Sequence, residues 1–305
     1  MINKENIYRK IQNLLLNGKL SFHFNLASHT WLKTGGNADI FFIPEDVNDL
    51  RKFLKSIKNN LSFYVLGAGS NTLFRDFGFD GAVIKLSKNF DYIKFINDKE
   101  FKVGAATNCI KLARLLAKNC ATGLEFFSGI PGSIGGAVIM NSGCYDNDIS
   151  KILISIRAID INQCIEREIT RNEIELYYRG TNLSKDLIIT SVKLKGKIKP
   201  KGMIEKIQNE LIEKKKMSQP SQIKTCGSTF KNLSNDKKAW KLIKDSGCED
   251  LREGDAVLSK KHCNFFVNNG KAKSIDIENL IKKVKKTVNE KTGVNLELEI
   301  KIIGE

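Results

Sequence analysis

A glycine-dense apolar stretch between Gly123 and Gly143, GLEFFSGIPGSIGGAVIMNSG, constrains this chain more than any other feature. It holds six glycines and one proline among apolar and small residues. Glycine has no Cβ, so backbone N–H groups can approach a ligand or a second loop closely, and Pro131 fixes one φ angle. Such a loop suits a phosphate or a flat ring, although a buried turn between two core elements explains a single loop equally well.

A second glycine-rich loop, Gly67-Ala68-Gly69-Ser70-Asn71, follows the apolar strand predicted at Ser62–Leu66. Two such loops can present backbone N–H groups to a pyrophosphate, with the Ser70 and Asn71 side chains as further donors. A Rossmann fingerprint requires glycine at the sixth position, which is Thr72, and then a helix, whereas a turn-rich connection follows here. A Walker A lysine is also missing, so neither nucleotide-binding motif applies.

The length and composition predict a soluble globular protein. The chain has 305 residues, a length that suggests about two domains. Its residues are 41% hydrophobic, and its mean hydropathy is −0.26. No apolar run approaches the roughly 20 residues that a membrane span needs. The first 20 residues resemble an amphipathic helix more than a secretory signal, so we expect a cytoplasmic location.

The cysteines carry no recognisable framework. They are odd in number and lack any C-x-x-C pair. This pattern encodes neither a set of disulfides nor a zinc site, so we expect reduced thiols and no bound metal. The seven positions are Cys109, Cys120, Cys144, Cys164, Cys226, Cys248 and Cys263.

The net charge of +16 raises the question of nucleic-acid binding. The charge comes mostly from lysines at solvent positions of predicted helices, and aromatic residues do not interleave with them. We therefore expect no nucleic-acid partner. A positive field would equally attract an anionic nucleotide substrate, so charge alone does not separate an enzyme from a binding protein.

Hydrophobic patterns over residues 40–194 predict an α+β arrangement in which strands dominate. A helix follows Pro44, with Val47, Leu50, Leu54 and Ile57 on one face, and a second helix runs from about Asn108 to Asn119. The predicted strands are Ile40–Ile43, Ser62–Leu66, Ala82–Leu86, a hairpin of Tyr92–Ile96 and Phe101–Ala105, Ile152–Ile161, Cys164–Ile169 and Leu187–Leu194.

The basic, proline-marked segment at residues 195–202, KGKIKPKG, is the predicted domain boundary. A compact α/β unit is expected beyond it. Its predicted elements are a helix Met203–Lys216 with Ile204, Ile207, Leu211 and Ile212 inward, a helix with Trp240 and Ile243 capped by Asn235 or Asp236 and ended by Gly247, a strand His262–Val267, a helix with Ile277, Leu280, Ile281, Val284 and Val288, and a last strand from Val294 to Ile303.

Several motifs occur in an order that resembles the UDP-N-acetylenolpyruvoylglucosamine reductase family, the flavoenzymes of bacterial peptidoglycan synthesis. The resemblance runs from about Asn25 to Glu305, and it departs at Leu233 and Leu298, where the family commonly has proline. The motifs are TGGNA at Thr34, GAGSNTL at Gly67, GIPGSIGGA at Gly129 with MNSG at Met140, Tyr178-Arg179, CGSTFKN at Cys226 and LELEI at Leu296.

The resemblance implies an FAD-binding fold of the p-cresol methylhydroxylase type, with two α+β subdomains, and a C-terminal α/β substrate-binding domain. We expect an N-terminal lead-in at 1–30, the FAD-binding domain at 31–197 and the substrate domain at 198–305. No histidine lies between Gly67 and Thr72, so FAD binding should be non-covalent. The implied cofactor contacts are Gly67, Ala68, Gly69, Ser70, Asn71, Gly129, Ser133, Ile134 and Gly135.

The implied reaction is reduction of an enolpyruvyl ether, with NADPH as the hydride source and FAD as the carrier. In the family's pattern Arg179 stabilises the negative charge that develops on the enolpyruvyl group at C2 and its carboxylate. Ser228 donates a proton to that C2, and Glu299 is the third catalytic position. Taken alone, Arg179 could be a surface ion-pair partner and Ser228 a turn serine. Weaker candidates for diphosphate or sugar contacts are Tyr178, Lys231, Asn232 and His262.

Strand alternation does not choose between Glu297 and Glu299, because both would face the same side of the predicted last strand. The resemblance alone selects Glu299. Two other functions stay open at this point. One is an oxygen-using flavin oxidase on the same fold, disfavoured by the missing histidine and by the CGSTF motif, and the other is a basic nucleic-acid-binding protein without a cofactor.

Overall fold

The computed structural model describes residues 4–58, 60–234 and 237–305. The chain forms two compact units. Unit 1 takes residues up to 22, 40–68 and 81–213, and unit 2 takes residues 23–39, 69–80 and 214–305. The division runs through the first glycine loop, between Ala68 and Gly69.

Seven α-helices precede or separate the successive strands in the described chain. The helices are α1 Lys4–Gln12, α2 Val47–Ile57, α3 Cys109–Lys118, α4 Ile134–Ile139, α5 Lys201–Ser218, α6 Ala239–Asp245 and α7 Ser274–Thr292. The strands are β1 Lys19–Asn25, β2 Asn37–Ile43, β3 Phe63–Val65, β4 Thr72–Phe74, β5 Phe79–Ile84, β6 Ile93–Asn97, β7 Glu100–Gly104, β8 Ala121–Thr122, β9 Gly143–Cys144, β10 Asn147–Asp148, β11 Leu153–Asp160, β12 Ile165–Thr170, β13 Leu176–Tyr177, β14 Gly180–Thr181, β15 Leu187–Lys195, β16 Lys197–Ile198, β17 Thr225–Ser228, β18 Arg252–Glu253, β19 Ala256–Ser259, β20 His262–Asn268 and β21 Lys301–Ile303. None of the helices described is long and apolar enough to cross a membrane.

Unit 1 contains an antiparallel five-stranded sheet in the order β12-β11-β15-β7-β6. The predicted hairpin is confirmed as β6 and β7, and the three predicted β-branched strands are confirmed as β11, β12 and β15. One core cluster joins the inner face of this sheet to α3 and α4, and Phe101, Leu112 and Ile156 in it are fully buried. The side chain of Asn108 caps α3 by accepting the N–H of Lys111 at 3.0 Å.

The second sheet has the strand order β1-β2-β5-β3, and its β3–β5 pair is parallel. The helix predicted after Pro44 is confirmed as α2, and Asp46 caps it by accepting the N–H of Asp49 at 2.8 Å. Leu50 and Leu54 on its apolar face are fully buried against this sheet, with Phe42 and Phe53 stacked at 4.3 Å. The first glycine loop leaves the carboxyl end of β3.

The second glycine stretch is more helical than its composition predicts. Residues Glu125–Gly129 form a 3-10 helix, and Ile134–Ile139 form α4, which begins at the cap residue Ser133. Glycine is required here for packing, because a Cβ on Gly135 would lie 3.1 Å from the Cβ of Ala105. Tertiary packing therefore outweighs the poor helix propensity of two adjacent glycines.

Unit 2 is built on an antiparallel four-stranded sheet in the order β17-β20-β19-β18, with α6 and α7 packed against it. Its other strand pair, β4 with β21, is parallel. The chain after β4 is fixed on α7, because the Asp76 carboxylate accepts the N–H groups of Ser274 and Ile275 at 2.9 Å each. A carboxylate at that end of a helix also complements the helix dipole.

Two C-terminal predictions need correction, and a third concerns residues outside the described part of the chain. The predicted last strand from Val294 to Ile303 is wrong in its first part, because only Lys301–Ile303 is a strand and an isolated bridge joins Leu298 to Phe230. On α5, Ile204 is buried as predicted, but the other predicted inward residues are only half-buried and Gln208 is buried instead. The predicted capping residues 235 and 236 lie outside the described residues, and α6 begins after Lys238.

Candidate active site

In unit 1, the first glycine loop has one fixed carbonyl group and two backbone donors without an acceptor among the described residues. The ammonium group of Lys85, at the carboxyl end of β5, donates to Gly67 O at 2.6 Å. Within the described ranges, the backbone N–H groups of Gly67 and Ala68 donate to no acceptor. Burial lowers the pKa of Lys85 below its ordinary value. Sequence reasoning missed this lysine, whose only signal is its place directly after an apolar strand.

The same pattern continues in unit 2 at the other half of the loop. Trp31 N–H donates to Gly69 O at 3.0 Å, and the N–H of Gly69 donates to no acceptor among the described residues. Gly69 has φ +69°, and a Cβ there would lie 2.1 Å from His29 O, so glycine is required by the loop itself. Asn71 then turns inward and donates from Nδ2 to Glu299 O at 3.1 Å.

The two glycine stretches meet in unit 1 at Gly67 and Ser133. A Cβ on Gly67 would lie 2.7 Å from Ser133 Oγ, with nothing else closer than 3.8 Å. Beyond Ser133, the N–H groups of Ile134 and Gly135 already donate to Thr107 O and Ala105 O, at 2.9 Å each.

Because the N–H groups of Ile134 and Gly135 are already bonded, a ligand could contact only other atoms of the second glycine stretch. The Ile134 side chain is fully buried in the core of unit 1, and Gly129 is buried at the end of its 3-10 helix. Gly136 is exposed and has only Ser133 Oγ near its missing Cβ, at 3.4 Å. Gly136 has no signal in the sequence that separates it from its neighbour Gly135.

Arg179 lies at the tip of a short hairpin in unit 1. Strands β13 and β14 pair Tyr177 with Gly180, which leaves Tyr178 and Arg179 as the two-residue turn. Arg179 has φ +58°, a left-handed conformation that non-glycine residues adopt at a cost and that clusters at functional sites. Its guanidinium lies over the Tyr178 ring, 5.0 Å from the centroid, so these two predicted site residues are adjacent in space.

Ser228 and Thr229 differ sharply in exposure within unit 2. Ser228 ends β17 and is half-buried, whereas Thr229 is 2% exposed. The backbone N–H of Thr229 donates to Asn264 O at 2.8 Å, which holds the extended chain in place past Ser228. Of these two neighbouring residues, Thr229 is buried and Ser228 is partly exposed.

The structure also separates Glu299 from Glu297. The Glu297 side chain is 77% exposed and forms an ion pair with Lys231 at 3.4 Å. Glu299 is half-buried, and its N–H donates to Thr229 O at 2.8 Å. Together with the bond from Asn71, this ties the Glu299 backbone in unit 2 to Asn71 and Thr229, whereas Glu297 O accepts the N–H of Lys231 at 2.8 Å.

The weaker candidates in unit 2 have structural partners. Asn232 Oδ1 accepts the N–H of Ala239 at 3.0 Å, in the first turn of α6. His262 lies edge-on against Phe265 at 4.8 Å, and burial lowers its pKa below the ordinary value. Lys231 is engaged with Glu297, as described above. No group of histidine, cysteine and acidic side chains that could hold a metal occurs in the described part of the chain.

This arrangement defines a flavoprotein. Residues 38–163 match the FAD binding domain family, and residues 219–303 match the C-terminal domain of UDP-N-acetylenolpyruvoylglucosamine reductase. The chain belongs to the UDP-N-acetylenolpyruvoylglucosamine reductase family, and it is an FAD-dependent oxidoreductase. The resemblance stated from the motifs and the predicted α+β fold are thereby confirmed.

Curated relatives and a solved structure cover almost the whole chain. The reductase of Pelagibacter ubique is 43% identical over 97% of this chain and 98% of its own length. The reductase of Rickettsia bellii is 42% identical over 95% of this chain and 95% of its own length. The crystal structure of the reductase from Thermus caldophilus superposes with a TM-score of 0.82 at 30% identity, covering 95% of this chain and 100% of that one.

The first glycine loop fits the anionic diphosphate of FAD. In unit 1, the backbone N–H groups of Gly67 and Ala68 have no acceptor among the described residues, Gly67 carries no Cβ, and the Lys85 ammonium donates to the Gly67 carbonyl. In unit 2, Gly69 offers the same free donor. Successive free N–H groups with their carbonyls turned away are the backbone pattern that binds anions.

Proposed function

We propose that Arg179, Ser228 and Glu299 carry the substrate chemistry of this reductase. The protein reduces UDP-N-acetylglucosamine enolpyruvate to UDP-N-acetylmuramate in peptidoglycan precursor synthesis, with NADPH as the reductant. The observation that carries the assignment is the bonding in unit 2. There the backbone at Glu299 is hydrogen-bonded both to Thr229, next to Ser228, and to Asn71 of the cofactor loop.

When bound, FAD would supply the hydride transfer from NADPH to C3 of the enolpyruvyl group. Negative charge then develops at C2 and on the carboxylate next to it. The half-exposed hydroxyl of Ser228 donates the proton to C2. The Arg179 guanidinium is a permanently charged, planar fork that binds the carboxylate, and the Glu299 carboxyl group donates to the charge developing there.

Binding is proposed for the remaining predicted residues. Gly67, Ala68, Gly69, Ser70 and Asn71 hold FAD non-covalently. Contacts from the second stretch come from Gly129, Ser133, Ile134 and Gly135, and substrate contacts come from Tyr178, Lys231 and Asn232. Lys231 can leave its partner easily, because Glu297 is largely exposed and an exposed ion pair contributes little stability.

The proposed domains are an N-terminal lead-in at 1–30, an FAD-binding domain at 31–197 and a substrate-binding domain at 198–305. The two matched ranges, 38–163 and 219–303, lie inside the second and third of these. We also propose a cytoplasmic location, since NADPH and a nucleotide-sugar precursor are cytoplasmic metabolites.

Ser228→Ala tests the assignment by separating the two half-reactions. NADPH should bleach the flavin absorbance of this variant at the wild-type rate without oxygen, because that step needs no proton donor at C2. Recovery of the absorbance on adding the enolpyruvyl substrate should slow by roughly 10² to 10⁴, the range for removing a positioned general acid. Stopped-flow absorbance measures both rates.

Thr229→Ala is the matched control. Because Thr229 is buried, loss of its hydroxyl should leave both rates unchanged. Equal slowing of both half-reactions in Ser228→Ala would show that the serine holds a shared binding site and does not act as the acid. Rapid recovery of absorbance with oxygen, but none with the enolpyruvyl sugar, would contradict the reductase reaction and favour an oxidase.

A further inference from the structure

The hairpin that presents Arg179 needs support from outside itself. It has only two residues in each strand, and an isolated two-stranded ribbon of this size has little stability of its own. Local contacts fix its tip, because Tyr177 OH donates to Thr181 O at 3.0 Å and the Tyr177 ring occupies the space beside Gly180. These contacts shape the turn, and the base of the hairpin packs against the core of unit 1 through Leu176.

Asn141 adds a hydrogen-bonded attachment next to the turn. Its Nδ2 donates to Tyr177 O at 3.1 Å, two residues before Arg179 in the chain. Its Oδ1 accepts the N–H of Ser150 at 3.0 Å, so the amide is held at both ends. Asn141 is 5% exposed, and its φ of +38° is one that asparagine tolerates better than most residues.

The position of Asn141 in the chain links it to the second glycine stretch. It follows α4 directly, and its N–H donates to Val138 O at 3.0 Å. Helix α4 begins at Ser133, the residue that meets Gly67, and it contacts β14 of the hairpin. One short segment of chain therefore carries proposed cofactor residues at its start and the hairpin's anchor at its end.

We propose that Asn141 is a positioning residue for Arg179. Its bond to the hairpin holds the Arg179 guanidinium in the position in which it binds the substrate carboxylate. This inference rests on the proposed role of Arg179. A bidentate guanidinium–carboxylate pair depends on the placement of both groups, and a misplacement of about 1 Å can lower the rate by roughly 10²-fold. Asn141 itself touches no reacting atom.

Asn141→Asp tests the proposal because it keeps the size and the acceptor for Ser150 but removes the donor to Tyr177 O. The variant should bind FAD and be reduced by NADPH as the wild type is, while oxidation by the enolpyruvyl substrate slows by about 10²-fold. Asn147→Asp is the matched control. Asn147 is exposed and makes the same type of bond, to Tyr145 O at 3.3 Å, so its replacement should change neither rate.

A double-mutant cycle then shows whether Asn141 acts through Arg179. In an Arg179→Ala background, Asn141→Asp should cause no further slowing of the second half-reaction. Asn141→Ser, a smaller replacement, should give the same result, and it keeps the test available if the aspartate variant does not fold. Trypsin should also cleave after Arg179 faster in either variant than in the wild type, as mass spectrometry of the fragments would show.

Full additivity of the two substitutions would overturn the proposal, and so would loss of FAD or equal slowing of both half-reactions in both Asn141 variants. Failure of the proposed catalytic role looks different. In that case Arg179→Ala alone would leave the second half-reaction unchanged, and the inference about Asn141 would fall with it.

Discussion

Replacing Lys85 with methionine should weaken FAD binding without unfolding unit 1. Methionine is of similar length and apolar, so it fills the half-buried site but cannot donate to Gly67 O. The lost bond is short, 2.6 Å, and its donor is charged. A hydrogen bond to a charged group contributes about 1.5 to 3 kcal/mol. At about 1.4 kcal/mol for each factor of ten, the Kd for FAD should rise by roughly 10-fold to 100-fold.

The assay is titration of the apoprotein with FAD, followed by flavin fluorescence. Lys88→Met is the control, because Lys88 is exposed and lies three residues further along the chain. The wild type should also lose affinity for FAD at alkaline pH, and it should do so below the ordinary lysine value of 10.5, because burial lowers the pKa of Lys85. The anion favours the protonated ammonium, so affinity falls as that proton is lost, and Lys85→Met should lack this dependence. An unchanged Kd in Lys85→Met would refute the role given to the lysine.

Three further outcomes are expected. Gly67→Ala should destabilise the apoprotein by about 1 to 3 kcal/mol in thermal denaturation, through the 2.7 Å approach to Ser133 Oγ. Measured against Ser133→Ala, which loses the cap of α4 but also the close Oγ, the same substitution should cost much less. Gly69 is a poorer test, since its φ of +69° demands glycine with or without FAD. Cys226→Ser should keep most of its turnover because no covalent intermediate is needed, and near-complete loss of activity in a folded, flavin-loaded variant would contradict this. In the wild type the Cys226 thiol should not react with thiol reagents, because burial raises its pKa to about 12. Burial lowers the pKa of His262 below 6.5, so the unfolded chain binds the proton more readily and the free energy of unfolding should fall as the pH drops through that value; His262→Phe should flatten this slope in urea denaturation.

Elements with strong local signals were predictable from the sequence. Helix α2 has a proline before it, an aspartate cap and a regular apolar face, and α3 has the cap Asn108, so both were placed closely. Such features depend on neighbouring residues alone, which is why sequence patterns reveal them.

Features that depend on distant residues were not predictable. Helix α4 contradicts local propensity, because Gly135 packs against Ala105 in a way that no pattern encodes. The choice between Glu297 and Glu299 depends on a bond from Asn71, 228 residues away from Glu299. The anchoring bond of Asn141 likewise reaches a hairpin 36 residues further along.

The parallel pairing of β4 with β21 has a consequence for the order in which a growing chain can fold. The five-stranded sheet uses residues 93–195 only, so it can form while the ribosome is still adding later residues. Strand β4 cannot pair until β21 has been synthesised, since Thr72 pairs with Lys301. Long-range pairing of this kind is slow to form, and a strand that waits exposes unpaired backbone meanwhile. We therefore expect stalled or interrupted synthesis to leave the cofactor loop without its support from the Glu299 segment, and such fragments to be prone to aggregation.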